Sequence, residues 1–269
     1  MVAAGIVVSV LLGVVIASFL NLCIDRLPRH ESLVTPASHC DACRHRLGVL
    51  DLIPIFSYLW LRGRCRYCQA PISPRLLWVE ISVGAIFGYL YWHYGLSFEL
   101  GVVAFYSCLF IVVAAIDFEH GLILNRLIYP GMAIAFIISI FLPPSGITYA
   151  GGGSVWLAGS SLPQLGILQA LIGGSIGFLF FFLIVVISRG GMGWGEVKLA
   201  ALIGFVTGYL IPVAIFLAII FGGLAACALL LARRKRIKES IPFGPFLSLA
   251  TLVTLLWGGS LFDWYLSLF

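Results

Sequence analysis

Apolar runs at about 2–24, 76–94, 98–116, 127–143, 165–187, 197–211, 212–232 and 242–263 constrain this chain more than any other feature. Each is long enough, or nearly so, to cross a hydrocarbon core of about 30 Å as a helix. A membrane segment must satisfy its backbone polar groups internally, so the runs predict an all-α polytopic membrane protein with about eight transmembrane helices. The short runs 127–143 and 197–211, near Pro130 and Lys198, complete their spans by tilting or snorkelling. Pro212 and the length of the combined run mark the boundary between the sixth and seventh. With 61% hydrophobic and 10% charged residues, the chain is excluded from the soluble globular class. Met1 to Ile24 lacks a basic n-region and a small-residue cleavage site, so no removable signal peptide is expected.

The cations test the topology. Of the 16 Lys and Arg residues, eight fall between Asp25 and Arg75; the others are Arg126, Arg189, Lys198, Arg233, Arg234, Lys235, Arg236 and Lys238. Eight alternating spans put all of them on one side, which the positive-inside rule assigns to the cytoplasm. The termini, the 95–97 turn and the Gly/Ser-rich loop around 144–164 then lie outside. The net charge of +5 is explained by anionic lipid headgroups beside the spans, and no nucleic-acid partner is expected.

The interval 25–75 is the one long polar stretch, and it carries Cys40-Asp41-Ala42-Cys43 and Cys65-Arg66-Tyr67-Cys68. Two CxxC knuckles complete a tetrahedral S4 site, which suits Zn2+ best and iron second. Arginine-rich surroundings on the reducing side of a membrane argue against disulfides. Four thiolates leave no open position for water, so the metal is structural: a zinc-ribbon-like loop follows helix 1. His39 and His45 flank the first knuckle and are read as solvated. Cys23, Cys108 and Cys227 are read as small buried hydrophobes.

Ionisable groups at membrane depth are functional candidates by default. Asp117 follows the third run and Glu196 precedes the sixth, which puts two sequence-distant carboxylates at one depth on the face of the metal loop. Alone, each is explained as a solvated helix-end acid, or for Glu196 as a favourable charge near a helix N-terminus. Yet Gly190, Gly191, Gly193 and Gly195 crowd the approach to Glu196, and irregular backbone at membrane depth lines a cavity or is buried in protein. A Gly-x-Gly-acid turn facing a second acid meets the needs of an intramembrane aspartyl-type protease, in which close carboxylates share one proton. No Gly-Lys-Ser/Thr follows, so a phosphate loop is excluded.

In order along the chain come Ala17-Ser18-Phe19-Leu20-Asn21, Arg26-Leu27-Pro28-Arg29, the paired knuckles, Ile53-Pro54 and Arg62-Gly63-Arg64-Cys65. Pro71-Ile72-Ser73-Pro74-Arg75, Val79-Glu80, Ala115-Ile116-Asp117, the Gly-Met-Gly-Trp-Gly turn with Lys198, and Pro242-Phe243-Gly244-Pro245-Phe246 follow. Over nearly its whole length the chain resembles the bacterial prepilin peptidases, the type IV leader peptidases of pilus and type II secretion systems. The resemblance implies a GxGD-class aspartic endopeptidase of the bacterial inner membrane. Such an enzyme cleaves prepilin or pseudopilin leaders after glycine at the cytoplasmic face, with Asp117 and Glu196 in the catalytic positions. It also implies N-methylation of the new N-terminus with S-adenosylmethionine, associated with an N-terminal region at 1–95, and a peptidase domain at 96–269. Glu80 is a weak candidate in the methylase region; it reads equally as a snorkelling helix-end acid.

The family's second catalytic residue is aspartate, and Glu196 carries its carboxylate about 1.5 Å further out. Three readings follow: a variant whose backbone has adjusted, an engineered substitution, or a peptidase-impaired homologue acting as methyltransferase only or as a prepilin-binding scaffold. Lys198 either tunes the acid pair or anchors its span, and lies off the Glu196 face if the helix has begun. Glu119 and His120 carry no assignment, and 233–238 is read as a cytoplasmic anchor.

Overall fold

The structure, a computed structural model, describes residues 2–141, 163–188, 192–231 and 242–268. Most of the Gly/Ser-rich loop, Arg189 to Gly191 and the basic run 233–238 lie outside the described residues. The described chain is all-helical: α1 (Val2–Arg26), a short α2 (Phe56–Trp60), α3 (Pro74–Tyr94), α4 (Phe98–His120), α5 (Asn125–Phe141), α6 (Pro163–Ser188), α7 (Trp194–Thr207), α8 (Ile211–Leu231) and α9 (Gly244–Leu266). Single 3-10 turns occur at Val49–Leu52 and Gly208–Leu210.

Five described stretches are long and apolar enough to cross a membrane: Val2–Arg26, Phe98–His120, Gly166–Ser188, Trp194–Leu231 and Gly244–Leu266. The expected count of eight is therefore not reproduced by length and hydropathy. Glu80 and a Tyr/Trp/His-rich last turn dilute α3, α5 has only 17 residues, and α7 and α8 form one 38-residue apolar stretch.

Two boundaries differ from expectation. Pro212 does not separate the sixth and seventh helices; it lies in the first turn of α8, where a missing N–H leaves no hydrogen bond unmade. The break falls instead at Gly208, which ends α7 with a φ of +58° that glycine adopts freely. The third helix runs past 116 to His120, so Asp117 sits within the last turn of α4 rather than after it.

Packing divides the chain into two units, Met1–Cys108 and Leu109–Phe269, with the division inside α4. In the first unit α1 and α3 pair through small residues. A Cβ on Gly13 would lie 2.8 Å from Phe87, and Cβ atoms on Gly84 and Gly88 would lie 2.7 Å from Val14 and Val10. Small residues four apart let membrane helices approach closely where the hydrophobic effect gives them little reason to associate. The second unit uses the same device between α6 and α7. Gly173 and Gly204 face each other, and Gly177 faces Ala200, so closely that a Cβ would strike the opposing backbone.

Candidate functional site

In the second unit three helix ends bring together residues distant in sequence. Asp117 comes from the last turn of α4, Glu196 from the first turn of α7, and Phe243 and Gly244 from the entry into α9. The N-terminal amides of a helix lack intrahelical acceptors and favour nearby negative charge, so two of the three ends suit a carboxylate.

Glu196 uses both oxygens. Oε2 accepts the Gly193 N–H at 3.0 Å, closing a capping box on α7, and Oε1 accepts the Phe243 N–H at 3.1 Å. Asp117 is buried, at 4% exposure, and among the described residues its Oδ2 has no hydrogen-bond partner. A Cβ on Gly244 would collide with Asp117 Oδ2. Consecutive residues of one loop thus touch both acids, Phe243 at Glu196 and Gly244 at Asp117.

Ile123 fills the space beside them. A Cβ on Gly195 would lie 2.9 Å from Ile123 Cβ, and one on Gly244 would lie 3.2 Å from Ile123 Cδ1. Gly195 is therefore needed for close approach of the turn to a side chain. Because α7 has begun at Trp194, Lys198 projects from another face: its Nζ bonds Asn125 Oδ1 at 3.1 Å and lies 5.6 Å from the Tyr129 ring centroid.

In the first unit the two cysteine knuckles are built alike. Cys40 N–H bonds His45 O at 3.0 Å and Arg44 N–H bonds Cys40 O at 2.8 Å. Cys65 N–H bonds Ala70 O at 2.9 Å and Gln69 N–H bonds Cys65 O at 3.0 Å. Arg44 and Gln69, each four residues after the first cysteine of its knuckle, have φ of 57° and 58°. An isolated bridge closes each turn, His39 with Arg46 and Arg64 with Pro71.

The sulfurs of Cys40, Cys43, Cys65 and Cys68 all lie within 4.8 Å of one another, and no disulfide joins them. Cys40 Sγ and Cys68 Sγ are 3.8 Å apart. A Zn–S bond of about 2.3 Å gives a tetrahedral edge of about 3.8 Å, so the donor set and its spacing fit zinc. Backbone N–H groups of Cys68 and Tyr67 hold the Cys65 thiol down to about 7. At Cys68 the Ala70 amide lowers the value, but burial and the neighbouring Cys43, Cys65 and Cys40 sulfurs outweigh it and push the thiol up to about 12. A cation bound among the four sulfurs would share the charge of their thiolates.

Asp51 ties the second knuckle to the rest of the loop. Its Oδ2 accepts Gly48 N–H at 3.1 Å and Tyr67 OH at 3.2 Å, and its Oδ1 lies 2.7 Å from Arg66 Nε. His45 stacks on Tyr67 at 3.7 Å between ring centroids, and His39 Nδ1 lies 3.1 Å from Ala37 O; neither belongs to the sulfur cluster. Cys23 is buried as expected, whereas Cys227 is exposed on the uniformly apolar α8.

Glu80 is buried on α3, and its Oε2 accepts the N–H of Ile55 at 2.7 Å. Ile55 has a φ of 60°, a strained value for a β-branched residue. The bond anchors the strained turn before α2. Sequence reading attached no role to Phe243, Gly244, Ile123 or Asp51. For the first two, the flanking prolines of Pro242-Phe243-Gly244-Pro245 were the available signal; the others carry none.

Two family models match the chain. The family model for the bacterial peptidase A24 N-terminal domain matches residues 11–94, and that for the type IV leader peptidase family matches residues 104–227. The chain is 32% identical to the prepilin leader peptidase/N-methyltransferase of Bacillus subtilis (strain 168), covering 95% of this chain and 96% of that protein. It is 30% identical to the protein of the same name from Stutzerimonas stutzeri, over 98% of this chain and 94% of that one. For the Pseudomonas aeruginosa protein of that name the identity is 29%, over 98% and 94%. No solved structure matches.

Proposed function

The chain belongs to the prepilin leader peptidase/N-methyltransferase family, and on that premise we propose that it cleaves prepilin or pseudopilin leaders with Asp117 and Glu196 as its acid pair. The observation that carries this reading is the convergence of both acids on one loop, Phe243-Gly244, at the meeting of three helix ends. A solvated helix-end acid explains neither the burial of Asp117 nor the reach of Glu196 to a residue 47 positions away.

Two close carboxyl groups hold one proton between them. Glu196, with an N–H at each oxygen, is the member suited to carry the charge. Water then loses a proton to Glu196 as its oxygen attacks the scissile carbonyl carbon, while Asp117 protonates the carbonyl oxygen. The gem-diol collapses as the C–N bond breaks: the leaving amine takes the proton from Glu196, and a diol hydroxyl returns one to Asp117. The pair ends with the single proton it began with. The junction cut is the one after glycine, at the cytoplasmic face of the bacterial inner membrane. Arg126 and Lys198, near the starts of α5 and α7, support that orientation by the positive-inside rule, with anionic lipid headgroups beside the span ends.

Cys40, Cys43, Cys65 and Cys68 would hold a structural zinc, which supplies folding energy to a loop that builds little core of its own. Methylation of the new N-terminus calls for S-adenosylmethionine as donor. The Glu80 carboxylate accepts the Ile55 N–H, and no step is derived through that cofactor. The test is cleavage of a prepilin bearing a glycine-phenylalanine junction by the unaltered protein and by its Asp117→Ala and Glu196→Ala variants.

A further inference from the structure

A glutamate three residues into α7 has an ordinary explanation, the capping box, and that accounts for Oε2 alone. The other oxygen reaches the entry of α9 and accepts a backbone N–H there. We infer that Phe243 and Gly244 form a positioning loop for the acid pair, and that this loop makes glutamate, not aspartate, the fitted second acid of this chain. The inference rests on the acid-pair reading above and goes beyond it, naming what sets the geometry of the pair and why residue 196 departs from the family's aspartate.

Phe243 is the N-cap residue of α9, at the helix end where backbone N–H groups lack intrahelical acceptors. Glu196 Oε1 supplies an acceptor to its N–H at 3.1 Å while Oε2 keeps Gly193 at 3.0 Å. An aspartate ends about 1.5 Å short and cannot span both donors from the same backbone position. The loop is itself held from behind. The Phe243 ring packs against Phe181 of α6 with centroids 6.0 Å apart, and Pro245 occupies the first turn of α9, where its missing N–H is not needed. At Gly244 the absence of a side chain is what admits Asp117, since a methyl group there would collide with Oδ2. Ile123, wedged between Gly195 and Gly244, sets the distance between the α7 and α9 entries. Glu196, Asp117 and the loop are therefore fitted to one another, and the glutamate is matched to its surroundings.

The test uses the full-length protein in proteoliposomes with two readouts. The first is kcat and KM, measured separately on a prepilin with a glycine-phenylalanine junction, for the unaltered protein, Glu196→Asp, Gly244→Ala and Asp117→Ala. Glu196→Asp is expected to lower kcat by about ten- to a hundredfold with KM nearly unchanged, because a misplacement of about 1 Å is felt in the chemical step. Gly244→Ala is expected to lower kcat likewise; should it fail to fold, Glu196→Asp, which keeps the charge and removes one methylene, carries the test. The second readout, independent of activity, is amide hydrogen exchange at Phe243. It is expected to quicken about fivefold or more in Glu196→Asp, as the loss of one hydrogen bond requires. Glu196→Asp with a kcat equal to or above that of the unaltered protein, or with Phe243 exchange unchanged, overturns the inference. Full cleavage by Asp117→Ala would instead overturn the acid-pair reading, whatever the exchange at Phe243.

Discussion

The backbone N–H of Phe243 lies 3.1 Å from Oε1 of Glu196. This one bond joins the start of α9 to the start of α7 across 47 residues of sequence, and the next residue, Gly244, meets Asp117. An acid that the capping box alone would explain is thereby tied to the loop that meets Asp117.

The four-cysteine cluster predicts one zinc per chain. Elemental analysis of the purified protein should find it, and Cys43→Ser should lose most of it, because three thiolates hold zinc less tightly than four. Iron in its place would change the metal and leave the S4 site; a full complement of zinc in the Cys43→Ser variant would contradict the site.

Asp51 should matter to the ribbon although it touches no cysteine sulfur. It receives two hydrogen bonds and faces Arg66, so Asp51→Ala should destabilise the loop by about 1–3 kcal/mol. Faster zinc transfer to a chelator than in the unaltered protein is the measurement. An unchanged transfer rate would mean that the knuckles hold their shape without it.

Gly204→Leu should loosen the α6–α7 pair, because a Cβ there already strikes the Gly173 backbone. Overpacking of this kind typically destabilises by about 1–3 kcal/mol, and more when the obstacle is backbone. Thermal unfolding in detergent should show a lowered midpoint, while zinc content stays at one per chain.

Much of this was legible in the sequence for identifiable reasons. Apolar runs fixed the helices because lipid leaves a backbone few other options, and CxxC spacing fixed the sulfur cluster because the knuckle is a local structure. The α7–α8 break was misread because Pro212 looks like an interruption, whereas proline is welcome in a first turn and Gly208 supplies the cap. The third helix ran longer than its apolar run because helical hydrogen bonding continues through Asp117 into a polar last turn. The part of the site that stayed illegible is the part made by tertiary approach. That Phe243 donates to Glu196, or that Ile123 separates Gly195 from Gly244, follows from packing between segments, which no local pattern encodes. The three readings of Glu196 are likewise equal in the sequence, because the partner of its second oxygen, the Phe243 N–H, lies 47 residues away.

The most direct test of the central claim is a cleavage assay in proteoliposomes, followed by mass spectrometry, on a prepilin with a glycine-phenylalanine junction. The unaltered protein should release the leader after glycine, and Asp117→Ala and Glu196→Ala should each abolish release while retaining their zinc. Cleavage persisting in either alanine variant would contradict the account, because a pair that shares one proton cannot work with one member.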